Sequence, residues 1–262
     1  QNRLAHTGAL RYSSEYLKIP AAAVSNEDAD LLAYLASEGK VRIRLTLTPK
    51  TLPDAEAFNV IADLIGSEKP DEIVIVSGHL DSWDLGTGAL DDAVGVATAM
   101  QVPYLLKKLG IMPKRTIRFI AYANEENGLA GGNGYAEAEK VNMSNHFAAI
   151  ESDLGASNTV GFLFSGRERA ISLFSPISEV LSRQGAGIVR WQEGGVAADI
   201  GPLTARGVPS FAPLFDTRTY FNYHHTAADT FDKVEPENLA KLGSLMAVLA
   251  YGLANLEVPI PR

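Results

Sequence analysis

Apolar and polar positions follow two different periods along the first 50 residues of the chain. Residues 26–35 carry apolar side chains at helical spacing, with Glu27 and Asp28 in the first turn, which predicts a helix. Residues 41–47 alternate strictly between apolar and polar side chains, which predicts a strand with one buried face. Residues 48–54 contain Pro49 and Pro53 and are typical of a connection into a second unit.

From residue 73 onward, short apolar runs alternate with longer helical patterns. Strands buried on both faces are predicted at 73–77, 116–123, 147–154, 160–164 and 208–214. Helices are predicted at 91–110 (with a bend at Pro103), at 129–140, at 169–184, and from Pro236 along an apolar face that reaches Leu256. This alternation predicts an α/β fold, with a mixed, mainly parallel twisted sheet and helices on both faces.

Composition narrows the classes of function. The 262 residues include 23 Lys and Arg against 31 Asp and Glu, a formal charge of −8, which argues against a nucleic-acid-binding surface. Without cysteine, the chain has no disulfide scaffold, no thiolate zinc finger and no cysteine nucleophile. No apolar run is long enough to predict a membrane span. Nucleotide-binding and serine-hydrolase motifs are also absent, since Gly86-Thr-Gly88 lacks the rest of a dinucleotide fingerprint.

Four short segments carry the candidate chemistry. They are Ser77-Gly78-His79, Asn124-Glu125-Glu126, Glu151-Ser152-Asp153 and Tyr223-His224-His225. The first three lie at or directly after the carboxyl ends of predicted strands, and polar residues at the carboxyl ends of parallel strands meet at one edge of the sheet. Carboxylates gathered there repel each other unless a cation neutralises them, and Lys and Arg are scarce in these loops. The sequence therefore predicts a divalent metal site.

The residue types indicate which metal fits. Imidazole and carboxylate without thiolate suit zinc in a hydrolytic site, and manganese or cobalt stay open as substitutes. Two histidines with three or four acids are more than one tetrahedral zinc needs. They suit a pair of ions that share a carboxylate, an arrangement found in aminopeptidases.

At these residues the chain resembles a known family, the co-catalytic zinc exopeptidases. That family includes bacterial leucine aminopeptidases, glutamate carboxypeptidase and carboxypeptidase Q, and the resemblance is strongest to carboxypeptidase Q. The matching segments are 77–84, 88–92, 125–126 with Gly128, 143–145, 151–153 and 224–230. They occur in the family's order and cover roughly residues 50–256, so the resemblance implies the zinc-exopeptidase (phosphorylase/hydrolase-like) fold for this part of the chain.

The resemblance also implies a role for each site residue. One zinc would be held by His79, Asp91 and Asp153, and the other by Asp91, Glu126 and His225. Glu125 would be the general base, which takes a proton from the metal-bridging water and passes it to the leaving amine. Asp81 would support catalysis by orienting the His79 imidazole, and Asp229 would orient His225. Asp199 matches a segment near the substrate pocket, and His224 stays open as an alternative ligand or a substrate contact.

The implied activity is that of a dinuclear zinc exopeptidase acting on dipeptides or short peptides. Aminopeptidase action, a single-zinc glutaminyl cyclase and a binding domain without activity are the alternatives. Residues 1–50 resemble the tail of an inserted protease-associated-type domain, and 51–262 resemble a catalytic domain whose N-terminal portion is missing. The resemblance implies a secreted or periplasmic location. Homodimerisation, association with a missing N-terminal segment, side-chain specificity and the cleaved end stay open.

Overall fold

A seven-stranded sheet forms the centre of the protein, in a computed structural model that describes residues 3–262. The strands are β1 (Val60–Leu64), β2 (Lys69–His79), β3 (Arg115–Tyr122), β4 (His146–Glu151), β5 (Thr159–Ser165), β6 (Ile188–Trp191) and β7 (Ser210–Phe215). Their order in the sheet is β1-β3-β2-β4-β7-β5-β6. The central strands β3, β2, β4 and β7 are parallel, β1 and β5 run antiparallel to β3 and β7, and β6 is parallel to β5. The predicted mixed, mainly parallel sheet is confirmed.

Helices α2 (Val94–Leu109), α3 (Ala130–Ala138), α4 (Ser175–Ser182), α5 (Gly201–Thr204) and α6 (Pro236–Ala254) cover both faces of this sheet. A further helix, α1 (Asn26–Glu38), buries none of its residues. Successive residues of β2 point to opposite faces, so Val74 and Val76 join one core with α2, α4 and α6. Ile73 and Ile75 join a second core with α3 and α5. A strand covered in this way needs apolar residues at every position, which explains its continuous apolar run.

Helix α6 is the element that the sequence predicts best. Leu242, Leu245, Met246, Leu249 and Leu253 lie along one face and are fully buried against the larger core. Pro236 begins the helix, where its missing N–H leaves no intrahelical hydrogen bond unmade. Helix α1 also forms as predicted, with the Ser25 hydroxyl accepting the backbone N–H of Asp28 at its first turn.

The segment before α2 differs from the prediction of a helix that starts at residue 91. The regular helix begins at Val94, and Asp91 and Asp92 lie in a preceding turn with non-helical backbone angles. This turn is held by hydrogen bonds from outside it, because the Asp229 carboxylate accepts the backbone N–H groups of Leu90 (2.7 Å) and Asp91 (3.2 Å). Tertiary contacts have overridden the local helical pattern.

The strand predicted at 41–47 is wrong for this chain. Those residues are irregular and mostly exposed, and an alternating segment needs a neighbouring strand, which no described residue provides. The helix predicted at 169–184 is partly wrong, because its first half, Glu168–Phe174, is a 3-10 helix that precedes α4. The sequence pattern does not predict the edge strands β1 and β6, whose short segments lack a continuous apolar run. Within the described part of the chain, no helix is both long enough and apolar enough to cross a membrane.

Candidate metal centre

The four segments singled out in the sequence meet at one edge of the sheet. His79 is the last residue of β2, Glu125 and Glu126 follow β3, and Asp153 follows β4. These three strands are parallel neighbours, so their carboxyl ends lie side by side. The loop before α6 brings in the fourth segment, which contains His225.

Asp91 lies between the two ends of this cluster. Its Oδ1 is 3.1 Å from His79 Nε2, and its Oδ2 is 3.3 Å from His225 Nε2. On the first side, His79 Nε2 is also 3.2 Å from Asp153 Oδ1, and on the second side, His225 Nε2 is 2.9 Å from Glu126 Oε2. One carboxylate therefore presents a separate oxygen to each of two imidazole–carboxylate groups. This is the arrangement expected of a ligand shared by two ions.

The His79 imidazole is fixed in one orientation. Its Nδ1 lies 2.8 Å from the backbone carbonyl of Asp81, and since a carbonyl can only accept, Nδ1 carries the proton. Nε2 then points at the carboxylates of Asp91 and Asp153, to which it donates a proton when no cation is bound and beside which its lone pair would bind a metal ion. A metal-ligating histidine needs this tautomer, with the second nitrogen held by a hydrogen bond.

Asp81 acts through different atoms than the sequence analysis expects. Its carboxylate is 3.7 Å from His79 Nδ1, whereas its backbone carbonyl makes the hydrogen bond to that ring. The carboxylate instead accepts the backbone N–H groups of Glu125 (2.9 Å) and Glu126 (3.2 Å). One residue thus ties the end of β2 to the two glutamates that follow β3.

Asp229 does not orient His225, which corrects the second of these expectations. Its carboxylate is engaged by the backbone of Leu90 and Asp91, so it positions the candidate shared ligand. The ring of His225 is held by the N-terminal segment, because Nδ1–H donates to the backbone carbonyl of Thr7 at 3.1 Å.

The structure also bears on the choice between His224 and His225. The two rings are stacked, with centroids 3.6 Å apart, and both face Asp91. His224 Nε2 is 3.6 Å from Asp91 Oδ2, farther than that of His225, and only His225 also reaches Glu126. Burial, together with the neighbouring His225, lowers the pKa of His224 to about 4. These distances favour His225 as the ligand and leave His224 beside it at the cavity wall.

The donor set fits zinc. Two buried oxygens, Asp91 Oδ2 and Glu126 Oε1, have no hydrogen-bond partner among the described residues. Burial, followed by the charge of Asp91, raises the pKa of Glu126 to about 8, and burial, followed by the charge of Asp153, raises the pKa of Glu125 to about 7. Buried carboxylates that repel each other and lack donors are what a bound cation neutralises.

A cavity of about 360 Å³ opens over this cluster. Its walls include Asp91, Glu125, Glu126, Asp153 and His225, together with Tyr220 and Arg11. This volume is near the lower end of the range for small-ligand sites. Three larger cavities, two of about 620 Å³ and one of about 400 Å³, have no histidine among the described residues of their walls. Of these four cavities, only the one of about 360 Å³ is lined by the candidate ligands.

Asp199 lies beneath this cavity. Its side chain is fully buried, both carboxylate oxygens lack a partner among the described residues, and its neighbour Ala198 forms the wall. Burial, followed by the charge of Glu151, raises the pKa of Asp199 to about 9. A direct contact with substrate stays a prediction that this placement does not favour.

Contacts of three further residues at the site are not predictable from the sequence pattern. The buried Asp92 accepts the backbone N–H groups of His79 (3.0 Å) and Gly95 (3.1 Å), although its sequence context indicates only a helix start. Trp83 Nε1–H donates to Glu126 Oε2 at 2.7 Å, so this side chain orients a candidate ligand. Thr7 is 218 residues from His225, and no local pattern signals that contact.

The raised pKa values predict how stability depends on pH in the metal-free protein. The pKa values of Glu126 and Glu151 are raised to about 8 and that of Asp199 to about 9, in each case chiefly by burial. An unfolded carboxyl has a pKa of about 4. The folded state therefore binds more protons than the unfolded state between these values, so the free energy of unfolding falls as pH rises from 7 to 9. With a chelator present, we expect Tm to be lower at pH 9 than at pH 7 by roughly 5 °C. An equal or higher Tm at pH 9 would contradict the raised values.

Comparison with known proteins agrees with this geometry. Residues 59–250 match the model of Peptidase family M28. The chain belongs to Peptidase family M28. The match spans every element from β1 to α6, of which it covers all but the last four residues, and it includes all five candidate ligands.

Individual relatives give the same assignment. The M28 chain is 37% identical to human carboxypeptidase Q over 258 residues, which are 98% of this chain and 54% of the relative. The crystal structure of a peptidase M28 precursor from Shewanella amazonensis SB2B superposes with a TM-score of 0.88 at 37% identity, covering 100% of this chain and 59% of that one. A zinc aminopeptidase from Bacillus subtilis shares the fold, with a TM-score of 0.61 at 22% identity over 77% of this chain and 51% of that one. The chain thus spans about half the length of the curated relatives it matches.

Proposed function

We propose that this M28 chain carries the catalytic centre of a zinc-dependent exopeptidase that hydrolyses dipeptides or short peptides. The observation that carries the proposal is the position of Asp91, whose two oxygens face two separate imidazole–carboxylate groups. His79 and Asp153 would hold one zinc, Glu126 and His225 the other, and Asp91 both. The similarity to carboxypeptidase Q and the M28 assignment support the same interpretation.

Zinc held by these residues would lower the pKa of a bound water and polarise the scissile carbonyl. The chain itself supplies the proton transfer, because Glu125 lies in the cavity wall beside the candidate ligands. Its pKa, raised to about 7, suits a group that accepts a proton and then donates it at neutral pH. Asp81 holds the backbone of Glu125 and so keeps the base in place.

Arg11 supports recognition of a free peptide carboxylate. It is the single Lys or Arg among the described residues that line the cavity, whose other charged groups include four acids. A guanidinium pairs with a carboxylate through two parallel hydrogen bonds, whereas it repels a free amino terminus. This favours a dipeptidase or carboxypeptidase over an aminopeptidase.

Peptides blocked at one end test this choice. We expect a dipeptide with a free carboxylate to be cleaved roughly 10- to 100-fold more efficiently than its amide, measured as kcat/KM. Arg11→Gln should reduce that preference, and Arg44→Gln, which changes an exposed arginine in the irregular stretch at 41–47, is the matched control. Equal cleavage of the acid and the amide would contradict a dipeptidase or carboxypeptidase and favour an aminopeptidase. Cyclisation of an N-terminal glutamine without hydrolysis would support the single-zinc alternative.

A further inference from the structure

The N-terminal segment holds the loop that carries His224 and His225. The backbone N–H of Thr7 donates to the carbonyl of His225 at 2.9 Å, and His225 Nδ1–H donates to the carbonyl of Thr7 at 3.1 Å. Thr7 therefore contacts both the backbone and the ring of the same histidine. His6 adds a third hydrogen bond, from its Nδ1 to the carbonyl of His224 at 2.6 Å.

These contacts act on a residue with an unusual backbone. His225 has a φ of 58°, in the left-handed region that residues other than glycine seldom occupy. Such a conformation persists only where neighbouring structure stabilises it. The two hydrogen bonds to Thr7 are made directly by His225, so they are the nearest source of that stabilisation.

The same contacts select the tautomer of the ring. A carbonyl can only accept, so Nδ1 of His225 carries a proton, and Nε2 points at Asp91 and Glu126, at 3.3 and 2.9 Å, where its lone pair would bind a metal ion. His79 is held in the same way by the backbone carbonyl of Asp81. In both candidate ligand histidines, a backbone carbonyl therefore accepts the Nδ1 proton. For His225 that carbonyl belongs to a residue more than 200 positions away in the chain.

We propose that His6 and Thr7 are positioning residues of the metal centre, which set the orientation of His225 and thereby the affinity of one of the two ion positions. The inference rests on the proposed function, in that it needs His225 to be a ligand. It assigns the N-terminal segment to the working site, although the match to the family model starts only at residue 59. The position formed by His79 and Asp153 has no contact with Thr7 among the described hydrogen bonds and should be unaffected.

The test measures zinc binding rather than turnover. Zinc dissociation constants are obtained by chelator competition for the unaltered chain, Thr7→Pro, His6→Ala and His6→Asn. Proline removes the N–H that reaches His225, alanine removes the His6 donor, and the amide of asparagine restores a donor at similar reach. We expect Thr7→Pro to weaken one zinc roughly 10- to 100-fold and to leave the other unchanged, as for other groups that orient a metal ligand. His6→Ala should weaken the same zinc, and His6→Asn should recover it.

The control for proline is Thr51→Pro, because Thr51 is exposed and irregular and makes no hydrogen bond recorded for the described residues. The absorption spectrum of the Co²⁺-loaded protein gives a second readout, since a reoriented imidazole changes the bands of one cobalt and not of the other. Zinc affinities equal to those of the unaltered chain in both Thr7→Pro and His6→Ala would overturn the proposal. If Thr7→Pro does not fold, the comparison of His6→Ala with His6→Asn decides.

The variant His225→Ala distinguishes the positioning role of His6 and Thr7 from the proposed role of His225 as a zinc ligand. The loss of one zinc in His225→Ala, with full binding in the His6 and Thr7 variants, would leave the metal centre intact and reject only the positioning role. Two tightly bound zinc ions in His225→Ala would instead reject the ligand assignment itself.

Discussion

Glu125→Gln is expected to lower kcat for dipeptide hydrolysis by roughly 1,000-fold while both zinc ions stay bound. The amide has nearly the same shape as the carboxylate but cannot accept the proton. The backbone N–H of Glu125 would still donate to Asp81, so the segment should keep its position. The measurement is steady-state kinetics together with elemental analysis of the same sample.

A matched variant makes this result specific. Glu179 lies exposed on α4 and makes no side-chain contact recorded for the described residues, so Glu179→Gln should retain full activity. If Glu125→Gln keeps activity within about twofold of the unaltered chain, proton transfer at a general base cannot be the role of Glu125. A loss of both activity and zinc would instead make Glu125 part of the metal site.

Asp91→Asn is expected to weaken both zinc positions at once. The carboxylate offers one oxygen to His79 and the other to His225, and an amide replaces one of these acceptors with a donor and removes the charge. We expect both dissociation constants to rise by at least about 100-fold, more than the loss of a group outside the ligand set causes. His79→Ala or His225→Ala should weaken chiefly one position each.

The adjacent residue supplies the control. Asp92 is also buried, and one of its oxygens lies within metal-binding range of His79 and Asp153. Its hydrogen bonds to the backbone of His79 and Gly95 indicate a structural role. Asp92→Asn should therefore lower Tm and keep two zinc ions. Loss of zinc in Asp92→Asn but not in Asp91→Asn would exchange the roles of the two residues.

The sequence predicts the part of this fold in which burial decides the structure. The continuous apolar run of β2 and the apolar face of α6 both appear where their patterns place them, because each must be covered. The strand predicted at 41–47 fails for the opposite reason. Its alternation needs a partner strand, and the pattern of a single segment cannot say whether that partner lies in the same chain.

The candidate site also has a part that the sequence predicts and a part that it does not. Residues that follow parallel strands are placed by topology alone, so the sequence pattern is enough to bring His79, Glu126 and Asp153 together. The groups that orient them are not predictable in this way. Asp81 acts on His79 through its backbone, and the carbonyl of Thr7 takes the place expected for Asp229. Backbone groups carry no residue-specific signal in a sequence.

The division of the chain at residue 50 and the secreted or periplasmic location stay predictions. Residues 39–59 are irregular and largely exposed, and the match to the family model starts at residue 59. The positioning role proposed for His6 and Thr7 would make the first part of the chain a working part of the catalytic unit. A separate origin and a role in the site are compatible for this segment.

The most direct test of the dinuclear centre is the zinc content per chain, measured by elemental analysis on protein purified without chelator and reloaded with excess zinc before desalting. The shared position of Asp91 predicts about two zinc ions per chain, as in other dinuclear peptidase sites. One zinc per chain would contradict the shared-carboxylate centre and favour the single-zinc alternative. No bound zinc would contradict the metal site altogether.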